Sequence, residues 1–278
     1  MSDKSQNAND IYQPRDLTPT SVINVLEYTK RTFPHVTDEE KTDFIHRTNE
    51  MSGLPLIKSD IADYFIQNKN KEPAITGQIA AIKLALNFAP RPDLIPNTKV
   101  SEIDFDAKYP WFRKINLNIL GDYVDRGTLY LFNRCEQTIY EIQSYRKYDI
   151  ETFFGVPPRP IKIRMLLAEA FHNYATVYNK YRTHFDNPRM LDRDAYDELQ
   201  YAIRRLAIDV CTIKPFMDGN NRTARILENL LRLNIGLPFY TFTNDDLTGS
   251  IRDRYRSYYR KYSPLSMPGG SPDHKITL

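Results

Sequence analysis

The stretch Lys214-Pro215-Phe216-Met217-Asp218-Gly219-Asn220-Asn221-Arg222-Thr223-Ala224-Arg225 has the residue types of an anion cradle that opens onto a helix. A carboxylate comes first, small and amide residues follow, and two arginines three apart stand where an apolar run begins. Backbone N–H groups at a helix start, together with the helix dipole, attract negative charge. Asp218 just before that start is placed to hold a divalent cation against a phosphate chain. The guest these residues suggest is a nucleotide. Plainer readings stand beside this one. Asp218 can cap the following helix, Arg222 and Arg225 can be salt-bridged to another helix, and Phe216 is most simply a buried anchor. Against the salt-bridge reading, arginines in a first helical turn oppose the dipole and call for a compensating anion.

The elements that must position these residues are helical. Asp194–Ile213 sets Leu199, Ala202, Leu206, Val210 and Ile213 at steps of three and four, with Glu198, Arg204, Arg205 and Asp209 on the other side. Thr223–Leu233 carries Ala224, Leu227, Leu230, Leu231 and Leu233 around most of its circumference, predicting a central buried helix that stops at Gly236 and Pro238. Further helices are predicted at 20–32, 38–52, 59–68, 74–88, 111–122, 162–182 and 247–260, so the fold class is mainly α. Residues 145–160 are the exception, with the alternation and turn residues of a small β-hairpin.

The loop resembles the signature of the Fic (Fido) family, His-x-Phe-x-Asp/Glu-Gly-Asn-Gly-Arg-x-x-Arg, with Phe216, Asp218, Gly219, Asn220, Arg222 and Arg225 in step. Lys214 stands at the place of the histidine and Asn221 at that of the second glycine. The resemblance covers roughly residues 40–250 and implies the Fic helical fold with its β-hairpin flap. It implies AMP transfer from ATP to a protein hydroxyl, with the histidine as general base. By the same resemblance Gly219, Asn220, Asn221, Arg222 and Arg225 bind ATP or another nucleotide, Arg222 on the triphosphate and Arg225 on the γ-phosphate. Asp218 becomes a Mg²⁺ ligand. Tyr145, Arg146, Pro157 and Pro158 match the flap, so Ile150, Glu151, Thr152, Phe153 and Phe154 are the residues that grip a protein target as an added strand. Gln143 takes the place of the flap's usual glycine.

Lys214 is the catalytic position with a replaced base. Bringing a lysine from a pKa of ~10.4 to neutrality takes about three units, or ~4 kcal/mol. Arg222 and the helix dipole push that way; a bound triphosphate pushes back. With nucleotide present Lys214 is expected to be charged and unable to accept a proton. Asn221 in place of glycine is tolerable in a left-handed conformation, where asparagine is the least strained alternative, but its side chain must occupy space near the phosphates. Thr48, Ser52 and Gly53 resemble a degenerate form of the family's inhibitory helix, with Ser52 at the glutamate position. Glu50, two residues earlier, lies about 200° around a helix and does not replace it.

The 278 residues are 41% hydrophobic, enough for a sizeable core, and 38 basic against 35 acidic residues give a net charge of +3. That balance carries no polyanion footprint, so neither nucleic acid nor an acidic membrane is an expected partner. Cys135 and Cys211 are the two cysteines and lack metal-ligand spacing. Residues 1–19 read as a disordered N-terminal segment, 20–262 as the Fic-like domain and 263–278 as a flexible tail. Without a signal-peptide core or membrane span, the expected location is a cytosol, the cell's own or a host's reached by a system that needs no N-terminal signal. Oligomeric state is open. Two functions compete: a pseudoenzyme-like binder with a nucleotide loop and a target-gripping flap, deficient in AMP transfer; or an active nucleotidyltransferase using ATP or another phosphate-containing donor.

Overall fold

The apolar periodicity is realised as helices whose inner faces share one core. The computed structural model describes residues 35–50, 56–67, 72–91, 93–125, 144–147, 149–150, 156–185 and 191–241. Among them the α-helices are α1 Asp38–Glu50, α2 Lys58–Gln67, α3 Pro73–Phe88, α4 Phe105–Lys108, α5 Pro110–Asp125, α6 Ile163–Tyr181, α7 Arg193–Ile213 and α8 Asn220–Asn234, with short 3₁₀ turns at Pro160–Lys162 and Arg182–His184. The fold is mainly helical, and none of the described residues is in a strand. No helix among them is long and apolar enough to cross a membrane.

Local chemistry sets the starts. Thr37 and Glu40 form a reciprocal capping box before α1, the Thr37 N–H donating to Glu40 Oε2 at 2.8 Å and the Glu40 N–H to Thr37 Oγ1 at 3.2 Å. Asp192 caps α7 by accepting from the Ala195 N–H at 2.8 Å. Pro73 opens α3, where its fixed φ suits the helix and its missing N–H costs nothing. Gly77 has a packing reason: a Cβ there would lie 2.5 Å from the Ile119 carbonyl oxygen, so α3 and α5 touch at backbone distance.

Helix α8 runs through the middle, packed on α7, α3, α5 and α1, and every residue of it except Asn221 is buried. The predicted central helix is therefore present, three residues longer at its start than the apolar spacing indicated. An aromatic cluster ties α4, α5 and α6 to the loop before it. Phe171 of α6 lies 5.0 Å from Phe105 and 5.2 Å from Phe112, and Phe112 lies 5.5 Å from Phe216. The plain reading of Phe216 as a buried anchor holds, at 2% exposure.

The helix predictions at 38–52, 59–68, 74–88, 111–122, 162–182 and 194–213 match α1, α2, α3, α5, α6 and α7 to within three residues at each end, and to within two except at the end of α5. Helix α4 was not predicted, because four residues are too few to show a period. The segments 20–32 and 247–260, the terminal segments 1–19 and 263–278, and Cys135 lie outside the described residues. Of the hairpin expected at 145–160, the described residues 145–147, 149–150 and 156–159 are not strand, and Glu151, Thr152, Phe153 and Phe154 lie outside the description.

Candidate functional site

Helix α7 ends at Lys214, the only non-glycine residue with positive φ among those described, at φ 46° and ψ 65°. Its N–H donates back to the Val210 carbonyl at 3.0 Å, closing the helix in left-handed fashion. Arg146 completes this end from outside. Its Nε donates to the Lys214 carbonyl at 2.8 Å, its Nη2 donates to the Pro158 carbonyl, and its N–H donates to the Pro215 carbonyl at 2.8 Å. A buried guanidinium on the last carbonyls complements the negative end of α7. Arg146 thus pins the expected flap's two ends to the loop, with Tyr145 stacked 5.6 Å from Phe216 and donating to Asp106 at 2.7 Å.

The loop is closed by its own amide. Asn220 Nδ2 donates to the Phe216 carbonyl and Asn220 Oδ1 accepts the Phe216 N–H, both at 2.8 Å. Gly219 provides the left-handed entry to α8 at φ 72°, and a Cβ there would meet Asn116 Nδ2 at 2.9 Å. Asn116 of α5 donates to the Asp218 carbonyl at 2.9 Å and to Thr223 Oγ1 at 3.0 Å. The sequence reading missed Asn116, since an isolated asparagine on an amphipathic helix gives no signal of its buried partners. Asn221 does not need the left-handed conformation that asparagine would tolerate: it lies within α8, and the left-handed positions of the loop are Lys214 and Gly219. Asparagine at this position therefore costs no backbone strain.

The first intrahelical bond of α8 runs from the Thr223 N–H to the Gly219 carbonyl at 2.8 Å, so the N–H groups of Asn220, Asn221 and Arg222 have no partner within the helix. Arg222 and Arg225 are both 2% exposed. Arg222 Nη2 meets Asp218 Oδ2 at 3.2 Å, while its Nη1 is buried without an acceptor. Arg225 Nη1 donates to the Thr48 carbonyl at the end of α1 at 2.9 Å, while its Nε is buried without an acceptor. Asp218 is not the capping residue of α8; Gly219 holds that place, and Asp218 Oδ1 accepts the Gly219 N–H at 2.6 Å.

Burial lowers the Lys214 ammonium below its ordinary pKa; Arg225 and Arg146 add to this, and Cys211 and Asp218 oppose it. Cys211 opposes it only as a thiolate, and burial lifts that thiol to about 11, so at neutral pH Asp218 is the effective counter-charge. The sequence reading gave Arg222 and the helix dipole as the causes; the structure puts desolvation first and Arg225 and Arg146 after it. The Arg225 guanidinium is itself brought down to about 10, chiefly by burial, and stays charged at neutral pH.

Among the inhibitory-helix residues, Thr48 is buried on α1 and touches Arg225 through its backbone, and Ser52 and Gly53 lie outside the described residues. Glu50 pairs with Arg47 at 3.2 Å instead of Arg225, consistent with its position around the helix. Of the flap residues, Ile150 alone is described, half-buried. The structure thus gathers Lys214, Asp218, Gly219, Asn220, Asn221, Arg222, Arg225 and Thr48 at one place.

Residues 123–231, a span that includes this loop, match the family model of the Fic/DOC family. A Fido domain-containing protein of Dictyostelium discoideum is 39% identical over 70 residues, which cover 23% of this chain and 49% of that protein. The match therefore spans about half the length of that curated relative. The structure of a Fic domain-containing signaling protein from Bacteroides thetaiotaomicron superposes with a TM-score of 0.51 at 14% identity, covering 87% of this chain and 75% of that one. That likeness concerns the fold. A Fic family protein from Desulfovibrio desulfuricans reaches a TM-score of 0.42 at 18% identity, over 90% of this chain and 67% of that one, and adds nothing to the assignment. Family match, curated relative and helical fold agree: the chain carries a Fic/Fido domain.

Proposed function

We propose that this Fic-domain protein binds a phosphate-bearing nucleotide at the first turn of α8, grips a protein target along the segment after Arg146, and is deficient in ordinary AMP transfer. The observation that carries the reading is the surplus of buried positive charge. Arg222 and Arg225 each keep a buried N–H without an acceptor, and among the described residues Asp218, 48% exposed, is the carboxylate in ion-pair contact with Arg222, with Glu228 adding a charge near Arg225. A buried charged donor left without a partner costs on the order of 1–3 kcal/mol or more. A phosphate would supply the acceptors and the charge, helped by the N–H groups of Asn220, Asn221 and Arg222.

Magnesium is the ion that a phosphate chain would bring with it. Asp218 offers Oδ1, already bonded to the Gly219 N–H, and Oδ2, already paired with Arg222. The described residues contain no group of three His, Cys, Asp or Glu side chains for a metal. This donor set does not fit an ion held by the protein alone, and the anion reading stands without one.

Deficiency in transfer follows from Lys214. A general base must take a proton from the incoming hydroxyl, and an ammonium beside a polyphosphate holds its own proton more firmly. The second reading, an active transferase, has the lowered pKa of Lys214 in its favour, because burial moves the amine towards the neutral form. Calorimetric titration with ATP, paired with a label-transfer assay on a cell lysate, tests both. Binding that weakens as salt rises, without a labelled band, is the expected result. A labelled band lost in Lys214→Ala would establish the second reading, and no binding at ~10 mM ATP would end both.

A further inference from the structure

A cavity of about 370 Å³ lies between the connection that follows α3 and the start of α5, and none of its lining residues belongs to the loop 214–225. That volume is in the range of small-molecule pockets. Its irregular wall is fixed from behind by three side chains. Asn179 donates to the Pro96 carbonyl at 2.9 Å, Arg182 Nη1 to the Ile95 carbonyl at 3.2 Å, and Asn234 Nδ2 to the carbonyls of Ala89 at 2.7 Å and Arg91 at 3.1 Å. Four backbone acceptors of the wall, those of Ala89, Arg91, Ile95 and Pro96, are thus used by α6, the 3₁₀ turn after it and α8.

The lining side chains combine an apolar wall with two cations, Arg91 and Lys108. Arg91 lies over the Phe88 ring at 4.3 Å, which fixes the guanidinium while leaving its N–H edges available. Neither Arg91 nor Lys108 has a carboxylate partner among the described residues, and Asp93 is the one acidic residue of the lining. Trp111, 3% exposed, lines the cavity, while its indole N–H is buried without an acceptor. Leu94, Phe88 and the Trp111 ring supply apolar wall. A ligand that satisfies this set brings acceptors and negative charge on one end and an apolar body on the other.

We infer that this cavity is a binding site for a small organic oxyanion, a ring or short chain headed by a carboxylate or a phosphate monoester. Arg91 and Lys108 hold the head, and the body rests against Phe88, Leu94 and Trp111. The site is independent of the nucleotide reading of the loop.

Trp111 is the only tryptophan of the chain, so its fluorescence reports on the cavity. Titrating the full chain with benzoate and with phenyl phosphate is expected to give a saturable change with a midpoint at or below ~1 mM for at least one of them. Arg91→Ala, an exposed side chain, is expected to raise that midpoint about tenfold, and Lys108→Ala serves as the second arm if the first variant unfolds. Arg222→Met in the loop is expected to leave it unchanged. The inference is overturned by no saturable change up to ~10 mM, by an equal response to benzyl alcohol or to inorganic phosphate alone, or by an unchanged midpoint in the folded cavity variants.

Discussion

Helix α8 makes two arginine–carboxylate pairs that differ in how far they are sealed. Arg204 of α7 meets Glu228 at 2.6 Å with side chains 7% and 1% exposed, whereas Arg222 meets Asp218 at 3.2 Å with 3% and 48%. In the first pair one cation faces one anion and both have left water. In the second, Arg225 and Lys214 add two further positive groups, and the carboxylate is still half in solvent. A sealed pair is balanced in charge within the protein. An open cluster of like charges at a positive helix end is completed by something the protein binds.

The largest expected effect breaks the sealed pair. Glu228→Ala removes the carboxylate that faces buried Arg204, and urea unfolding is expected to show a loss of about 3–5 kcal/mol. A loss under ~1 kcal/mol would mean that the pair is not sealed and that the contrast is false. Next is Arg225→Met, which removes a cation from the open cluster. ATP affinity is expected to fall about tenfold, while the Thr48 carbonyl turns to water at the end of α1.

Lys214→Met sharpens the contrast through pH. Because the folded-state pKa of Lys214 is lowered, the unfolded chain binds more protons between that value and ~10.4, so the penalty is full at lower pH and fades as pH rises through this window. The variant is expected to melt about 2–4 °C higher than the natural protein at pH 7, per kcal/mol of penalty removed, with the gain shrinking towards pH 10. A gain independent of pH would show that packing, not charge, is responsible. The smallest effect on stability belongs to Asp218→Asn, where a half-exposed pair is lost. Denaturant unfolding is expected to change by less than ~1 kcal/mol, and titration to show tighter ATP binding, since the carboxylate paired with Arg222 has gone.

How legible all this was in the sequence follows the same division. Helices α7 and α8 could be read because their leucines and isoleucines recur every three or four residues, and burial enforces that period. The loop could be read because its residue types match a family signature, and the grouping of Arg222, Arg225 and Asp218 followed. What could not be read depends on contacts distant in sequence. Asn116 reaches the loop from 102 residues away, and the Thr48 carbonyl meets Arg225 from 177 away. Backbone acceptors leave no trace in residue type. The backbone region of Asn221 could not be read either, because a glycine replaced by asparagine fits a left-handed turn as well as a helix start, and the turn needed only Gly219 and Lys214.

The contrast between sealed and open charge is tested most directly by Arg222→Met, compared with the natural protein by thermal melting with and without ATP. An open cluster predicts that ATP raises the melting temperature of the natural protein, that the variant loses this rise, and that without ATP the variant is as stable as its parent, because Asp218 at 48% exposure returns to water. A variant that is several kcal/mol less stable without ATP, in the manner expected of Glu228→Ala, together with a natural protein indifferent to ATP, would contradict it: Arg222 would then be structural and the cluster closed.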